Sequence, residues 1–140
     1  MNHDNLKQRT RKFALDIIEL VESLPNDRVC NVLGKQLLRS GTSVGANYRS
    51  ANRAKSPADF IAKMGIVEEE ADESAYWMDL LEAARRLPAA KAQALVREAG
   101  ELTAIAIASI RTARQTASDS KSGTRTGAIS RSALRVPRSL

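Results

Sequence analysis

Apolar residues recur along the first 110 positions at intervals of three and four, the signature of helices that each bury one face. In the first segment, about residues 4 to 24, Leu6, Phe13, Ile17, Leu20 and Leu24 share a side. Pro25-Asn26 ends it, because proline lacks the backbone donor and disfavours helix in the residue before it. The third segment has the sharpest pattern. Phe60, Met64, Val67, Ala71, Ser74, Met78 and Leu81 follow one another at alternating steps of four and three. That spacing gives a long seam for shallow-angle packing on partner helices. Its start reads as an N-cap serine, a proline in the first turn and an early acid, Ser56-Pro57-Ala58-Asp59. Its end is expected near Leu87, before Pro88. A fourth, alanine-rich segment starts at Pro88, with Ala92, Leu95, Ala99, Leu102, Ala106 and Ile110 as its seam. It is expected to fray between Arg114 and Ser118.

The second segment starts near Asp27 and contains the least helix-like stretch, RSGTSVGANYRSANRAK. The stripe Val29, Leu33, Leu37, Val44, Tyr48, Ala51 nevertheless runs straight through Gly41 and Gly45. A phosphate-binding loop would need a preceding strand and a lysine after the last glycine, and neither is present. Two glycines four apart share one helix face, where the missing side chains let another helix approach closely. A break near Gly41 is the rival reading. No segment alternates with the period of a strand. Four helices joined by short turns predict an all-α, antiparallel up-down-up-down bundle.

Of the net charge of +6, residues 119–140 hold +4 in a Ser-, Thr-, Gly- and Arg-rich run, which leaves only +2 for the rest. Such a composition cannot bury enough apolar surface to order itself. The expected organisation is a bundle over 1–118 and a disordered basic tail over 119–140. The lone cysteine, Cys30, has no internal disulfide partner and sits at apolar helical spacing, where it reads as a small packed hydrophobe. The first apolar run is broken by Asp16 and Glu19, and AIAIASI at 104–110 is too short for a membrane span. A soluble, cytoplasmic protein without membrane contact is expected.

Candidate chemistry is sparse. The acids of VEEEADESAYW invite a metal reading, but the single histidine, His3, is far from them in sequence and helices 2 and 4 offer no inward acid to match. No metal, cofactor or catalytic residue is expected. Glu70 and Glu73 lie on a second stripe of helix 3 with Ile66, Trp77, Leu80, Ala84 and Leu87. A helix with two apolar stripes packs against two things, and a second copy of the chain is the expected other. Acids between apolar neighbours need partners. Arg39, whose planar fork can hold a carboxylate with two bonds, is expected to pair with Glu70 or Glu73. Lys7, Arg9, Arg11 and Lys12 open helix 1, and Arg49, Arg53 and Lys55 close helix 2. Antiparallel packing brings the two groups into one basic patch suited to phosphate contacts. Solvated charge that serves solubility is the plainer alternative.

The run from Gln36 to Leu81 resembles the four-helix bundle protein family, also called the 23S rRNA intervening-sequence protein family. The resemblance rests on Gln36, Leu37, Arg39, Ser43, Val44 and Asn47, then Ser56, Asp59 and Phe60, then Glu73, Trp77 and Leu80. Gly41 and Gly45 fall within the same motif. Many members place an acid and a glycine soon after the asparagine, where this chain has Tyr48-Arg49-Ser50-Ala51. The resemblance implies an up-down bundle, a ring-like homopentamer and no catalytic residues. The similar accessory variability proteins of diversity-generating retroelements work with a reverse transcriptase and nucleic acid. The expected function is a non-enzymatic homo-oligomer that binds nucleic acid, structured RNA in particular, through phosphates. A protein-interaction scaffold with an unidentified protein partner is the alternative.

Overall fold

The computed structural model describes residues 3–122 and places them in four helices: α1 (His3–Glu22), α2 (Arg28–Ala51), α3 (Pro57–Ala83) and α4 (Ala89–Ser122). Each helix packs on the next, and α1 also meets α4. The turns are too short for crossovers, so the topology is up-down-up-down.

The caps follow from the local sequence. The Asp27 side chain accepts from the Cys30 amide at 2.8 Å and starts α2. The Ser56 hydroxyl accepts from the Asp59 amide at 3.0 Å and starts α3. All seven residues of the α3 seam are buried, as the spacing predicts. Tyr48, Phe13 and Phe60 are the largest fully buried side chains.

α2 is one continuous helix through Gly41 and Gly45, and the helix it lets in is α1. A Cβ on Gly41 would lie 2.8 Å from Ile17 Cγ2, and one on Gly45 would lie 3.2 Å from Thr10 Oγ1. On the opposite flank of α2, the buried hydroxyls of Ser40 and Ser74 hydrogen-bond at 3.0 Å and join α2 to α3.

Three expectations change. Val29 is exposed, and its neighbour Cys30 takes the buried place. Burial pushes the Cys30 thiol up, so it stays protonated and unreactive near neutral pH. α3 ends at Ala83, not near Leu87, because Arg85 adopts a left-handed conformation with φ of 62°. The Arg86 amide then reaches back to the Leu81 carbonyl and the Arg85 amide to that of Glu82, both at 2.9 Å. This is a Schellman closure with arginine where glycine is the usual residue. Leu87, once freed from α3, turns into the core of its own chain and is 3 % exposed, so it is no part of an outer stripe. α4 runs past the expected fraying point to Ser122, which carries the helix through residues 119–122. The rest of the expected tail, 123–140, lies outside the described residues.

A left-handed L-residue costs roughly 1–2 kcal/mol, and glycine escapes most of that. Arg85→Gly should therefore stabilise the protein by about 1 kcal/mol, read as a rise of about 3 °C in melting temperature. An unchanged or lower value would mean that the Arg85 side chain contributes more than its backbone costs.

Candidate nucleic-acid interface

The antiparallel order gathers the N-termini of α1 and α3 and the C-termini of α2 and α4 at one end. Contacts fix the relative heights: Thr10 beside Gly45, Ile17 beside Gly41, Arg39 beside Glu70. Arg9 beside Glu98 and Glu101 sets the height of α4. The half of the bundle at this end comprises residues 3–12, 43–66 and 98–122. It holds eleven Lys and Arg against five Asp and Glu, a net of +6. The other half, residues 13–42 and 67–97, holds seven against eleven, a net of −4. A near-neutral bundle is thus strongly polarised along its axis.

All seven basic residues named from the sequence lie in the positive half, but they are not equivalent. Lys7, Arg11, Arg49, Arg53 and Lys55 are exposed. None of these five takes part in an ion pair among the described residues. Arg9 is partly buried and holds two acids of α4. Its Nε and Nη2 donate to the two oxygens of Glu98, both at 2.7 Å, and Nη2 also meets Glu101. The hydrogen bond to Glu98 is the largest of the effects that raise the Arg9 pKa against the opposing cost of burial. Its fork ties α1 to α4 and is occupied. Lys12 pairs with Asp16 at 2.6 Å one turn along, an exposed contact that a polyanion can displace. The structure adds residues that the sequence pattern does not single out. Arg111 and Arg114 on α4 are exposed, and Lys63 on α3 is half-buried, all in the same half. The signal for them was the antiparallel order itself, which returns the end of α4 to the start of α1.

The expected pairing of Arg39 is present on both acids. Nη1 donates to Glu70 at 2.8 Å and Nη2 to Glu73, while Gln36 accepts weakly from Nε at 3.4 Å. Trp77 Nε1 also donates to Glu73, at 3.0 Å, and the indole packs partly against the core. Tyr76 meets it with ring centroids 5.1 Å apart. Ser43 and Asn47, the remaining polar motif residues, bond to each other and not to a ligand-facing cleft. Asn47 Nδ2 donates to the Ser43 carbonyl and hydroxyl, each at 2.9 Å. Around the Arg39 clamp, Val29, Val32, Ile66 and Tyr76 are exposed and Leu80 is half-buried. Ile66, Glu70, Glu73, Trp77 and Leu80 therefore do share an outer face between α2 and α3. Among the described residues, no group of three His, Cys, Asp or Glu is placed to hold a metal ion, and no helix is long and apolar enough to cross a membrane.

Burial alone would raise the Glu73 pKa, but the bonds from Arg39 and Trp77 outweigh it and hold the carboxyl below its ordinary value. A depressed carboxylate stabilises the fold above its unfolded pKa and loses that contribution as pH falls through the folded one. Stability should thus decline from about pH 4 downward, and Glu73→Gln should flatten that decline. A melting profile over pH 2–6 that is the same for both proteins would remove Glu73 from the account.

Known proteins share this arrangement of helices. The model of the 23S rRNA-intervening sequence protein family matches residues 3–108. The chain belongs to that family. A crystal structure of a protein of unknown function from the S23 ribosomal protein family of Bacteroides thetaiotaomicron, solved at 1.70 Å, is similar in sequence and fold. Identity is 36 %, with a TM-score of 0.73, over 79 % of this chain and 98 % of that one. No curated protein matches. The family match ends within α4, so Arg111, Arg114 and everything beyond them lie outside it.

Proposed function

We propose that this family member is a non-enzymatic helical bundle that assembles with copies of itself and holds nucleic acid, structured RNA in particular, by phosphate contacts. The observation that carries the reading is the axial separation of charge. Exposed cations without ion-pair partners collect at one end, where they raise the local concentration of a polyanion and release its counterions on binding. The contact set is Lys7, Arg11, Arg49, Arg53 and Lys55, with Lys12 recruited from Asp16 and Arg111 and Arg114 added from α4. No aromatic platform accompanies them, so the reading is of backbone and shape and not of base sequence.

Self-assembly is supported by the outer α2–α3 face. Val32 is 56 % exposed and Tyr76 54 %, beside Ile66, Trp77 and Leu80. The family resemblance suggests a ring of five. A ring would repeat the basic end on one side and multiply a weak affinity. The buried, unpaired Cys30 fits a reducing compartment, and we place the protein in the cytoplasm. A scaffold for another protein is the second reading, favoured by Leu15, Ile18 and Leu38, three exposed apolar residues on α1 and α2.

A salt titration of the full chain with an RNA hairpin and a DNA duplex tests the proposal. With about five phosphates engaged, log affinity should fall against log salt with a slope of about −3.5 for unpaired strands and −4.5 for duplex. Binding that is absent at about 0.15 M salt would favour the scaffold. Size-exclusion with light scattering reads the assembly, and a monomer at micromolar concentration would remove the ring.

A further inference from the structure

The outer groove between α3 and α4 lies on the opposite flank of α3 from the Arg39 clamp, and only its mouth, at Arg111 and Arg114, belongs to the proposed phosphate surface. It opens at the basic end and encloses about 480 Å³. Ile61, Ile107 and Ile110 form its floor, and Ile107 is 40 % exposed. A Cβ placed on Gly65, in its α3 wall, would meet nothing within 4 Å. Glu68 and Glu69 stand on that wall, and Asp72 and Asp79 continue the same flank one and three turns further on. None of these four acids has an ion-pair partner among the described residues. They form an acidic rail beside an unfilled apolar floor.

We propose that the rail and floor receive this chain's own C-terminal segment, residues 123–140. Its composition matches the groove. It carries Arg125, Arg131, Arg135 and Arg138 and no acid, with Ile129, Leu134 and Val136 between them. The segment supplies positive charge for the acidic rail, and Ile129 an apolar side chain for the isoleucine floor. A segment too polar to build a core of its own can still order on a preformed surface.

The lengths agree. The segment leaves α4 at Ser122, and Ile107 lies fifteen residues back along the helix, about 22 Å at 1.5 Å per residue. Ile129, seven residues beyond Ser122, reaches up to about 23 Å when extended. The remaining eleven residues extend up to about 36 Å further, enough to pass Asp72 and Asp79. Arg111 and Arg114 line the mouth of the groove, where the passing stretch 123–128 carries only one arginine. Tethering supplies an effective concentration in the millimolar range, so individually weak exposed pairs suffice to hold the segment. Docked in this way, the segment keeps its arginines away from outside polyanions. The docking stands or falls independently of the nucleic-acid reading.

The test places a nitroxide on Ser132→Cys in the full chain, with Cys30 protected by burial, and reads amide line broadening. The amides of Gly65, Glu69 and Ile107 should lose at least half their intensity, while those of Val29 and Val32 on the α2–α3 face keep theirs. Adding Glu68→Lys, Glu69→Lys and Asp72→Lys should restore the lost intensity. About 1 M salt, where the Debye length is about 3 Å, should restore part of it. Unbroadened groove amides, or broadening that survives the charge reversal, would overturn the proposal. A mixture of isotope-labelled native chain with unlabelled nitroxide chain should show no broadening. Broadening there would mean that the segment docks on a neighbouring copy, and would overturn the assignment to its own groove.

Discussion

Gly41→Ala should destabilise the protein by about 1 kcal/mol, although alanine is the better helix former by roughly 0.8–1 kcal/mol. The added methyl would sit 2.8 and 2.9 Å from the two γ carbons of Ile17 and 3.1 Å from its Cβ. Ile17 is fully buried, and its β-branched side chain has little rotameric freedom, so it cannot swing aside. The strain must be taken up by moving α1 away from α2, and overpacking of this kind costs about 1–3 kcal/mol. Gly41→Leu should cost more than about 3 kcal/mol, because a whole side chain must then be fitted between helices already in contact. The control is Gly100→Ala on α4. A Cβ there meets nothing within 4 Å, so the same chemical change should stabilise by about 0.8 kcal/mol. Ile17→Ala on its own should cost about 2–5 kcal/mol, but in its presence Gly41→Ala should become nearly neutral. Urea unfolding of the four proteins of that cycle decides the matter. Additive effects would mean that Gly41 and Ile17 do not meet, and would reopen the broken form of α2.

The glycines show what a sequence can and cannot disclose. Gly41 and Gly45 could be assigned to a close helix contact because they fall four apart within an unbroken apolar stripe. The identity of the partner needed the fold, since Thr10 and Ile17 approach from a helix whose own pattern looks ordinary. The α3 seam was fully legible for the same reason that it is buried: a period of 3.5 admits one solution over six turns. The Arg39 clamp was legible because an acid inside an apolar stripe must find a cation, and Arg39 was the one beside it. The end of α3 was not, because the usual glycine signal is absent and Arg85 supplies the left-handed turn at a local cost. Arg9 was misleading in a different way. Its sequence neighbours Lys7, Arg11 and Lys12 suggest a cationic surface, yet it is held by Glu98 and Glu101, some ninety residues away. Nothing local distinguishes an occupied guanidinium from an available one. Only the register of α1 on α4 does so. The same register brings Arg111 and Arg114 to the basic end.

That distinction has a measurable consequence. Replacing Arg49, Arg53 and Lys55 together by glutamine should weaken binding to an RNA hairpin by about a hundredfold at about 0.1 M salt, and should make the salt slope shallower by about 2–3. The three residues are exposed at the C-terminal end of α2 and in the turn to α3, and none has an ion-pair partner to lose among the described residues. Folding should therefore be unaffected within about 0.5 kcal/mol, as for ordinary surface substitutions. Arg9→Gln should do the opposite on both counts. It strips Glu98 and Glu101 of their partner and loosens α1 from α4, so stability should drop by about 1–2 kcal/mol, with little change in the salt slope. The pair of experiments separates two roles that the sequence presents as one cluster. If the triple variant binds as tightly as the native chain, the phosphates are held elsewhere. Lys7 and Arg11 on α1 and Arg111 and Arg114 on α4 are then the next cations to neutralise, because they are exposed in the same half. If Arg9→Gln lowers the slope as much as one member of the triple does, its guanidinium leaves the α4 acids when a polyanion arrives. The bundle end would then have to open slightly between α1 and α4 on binding.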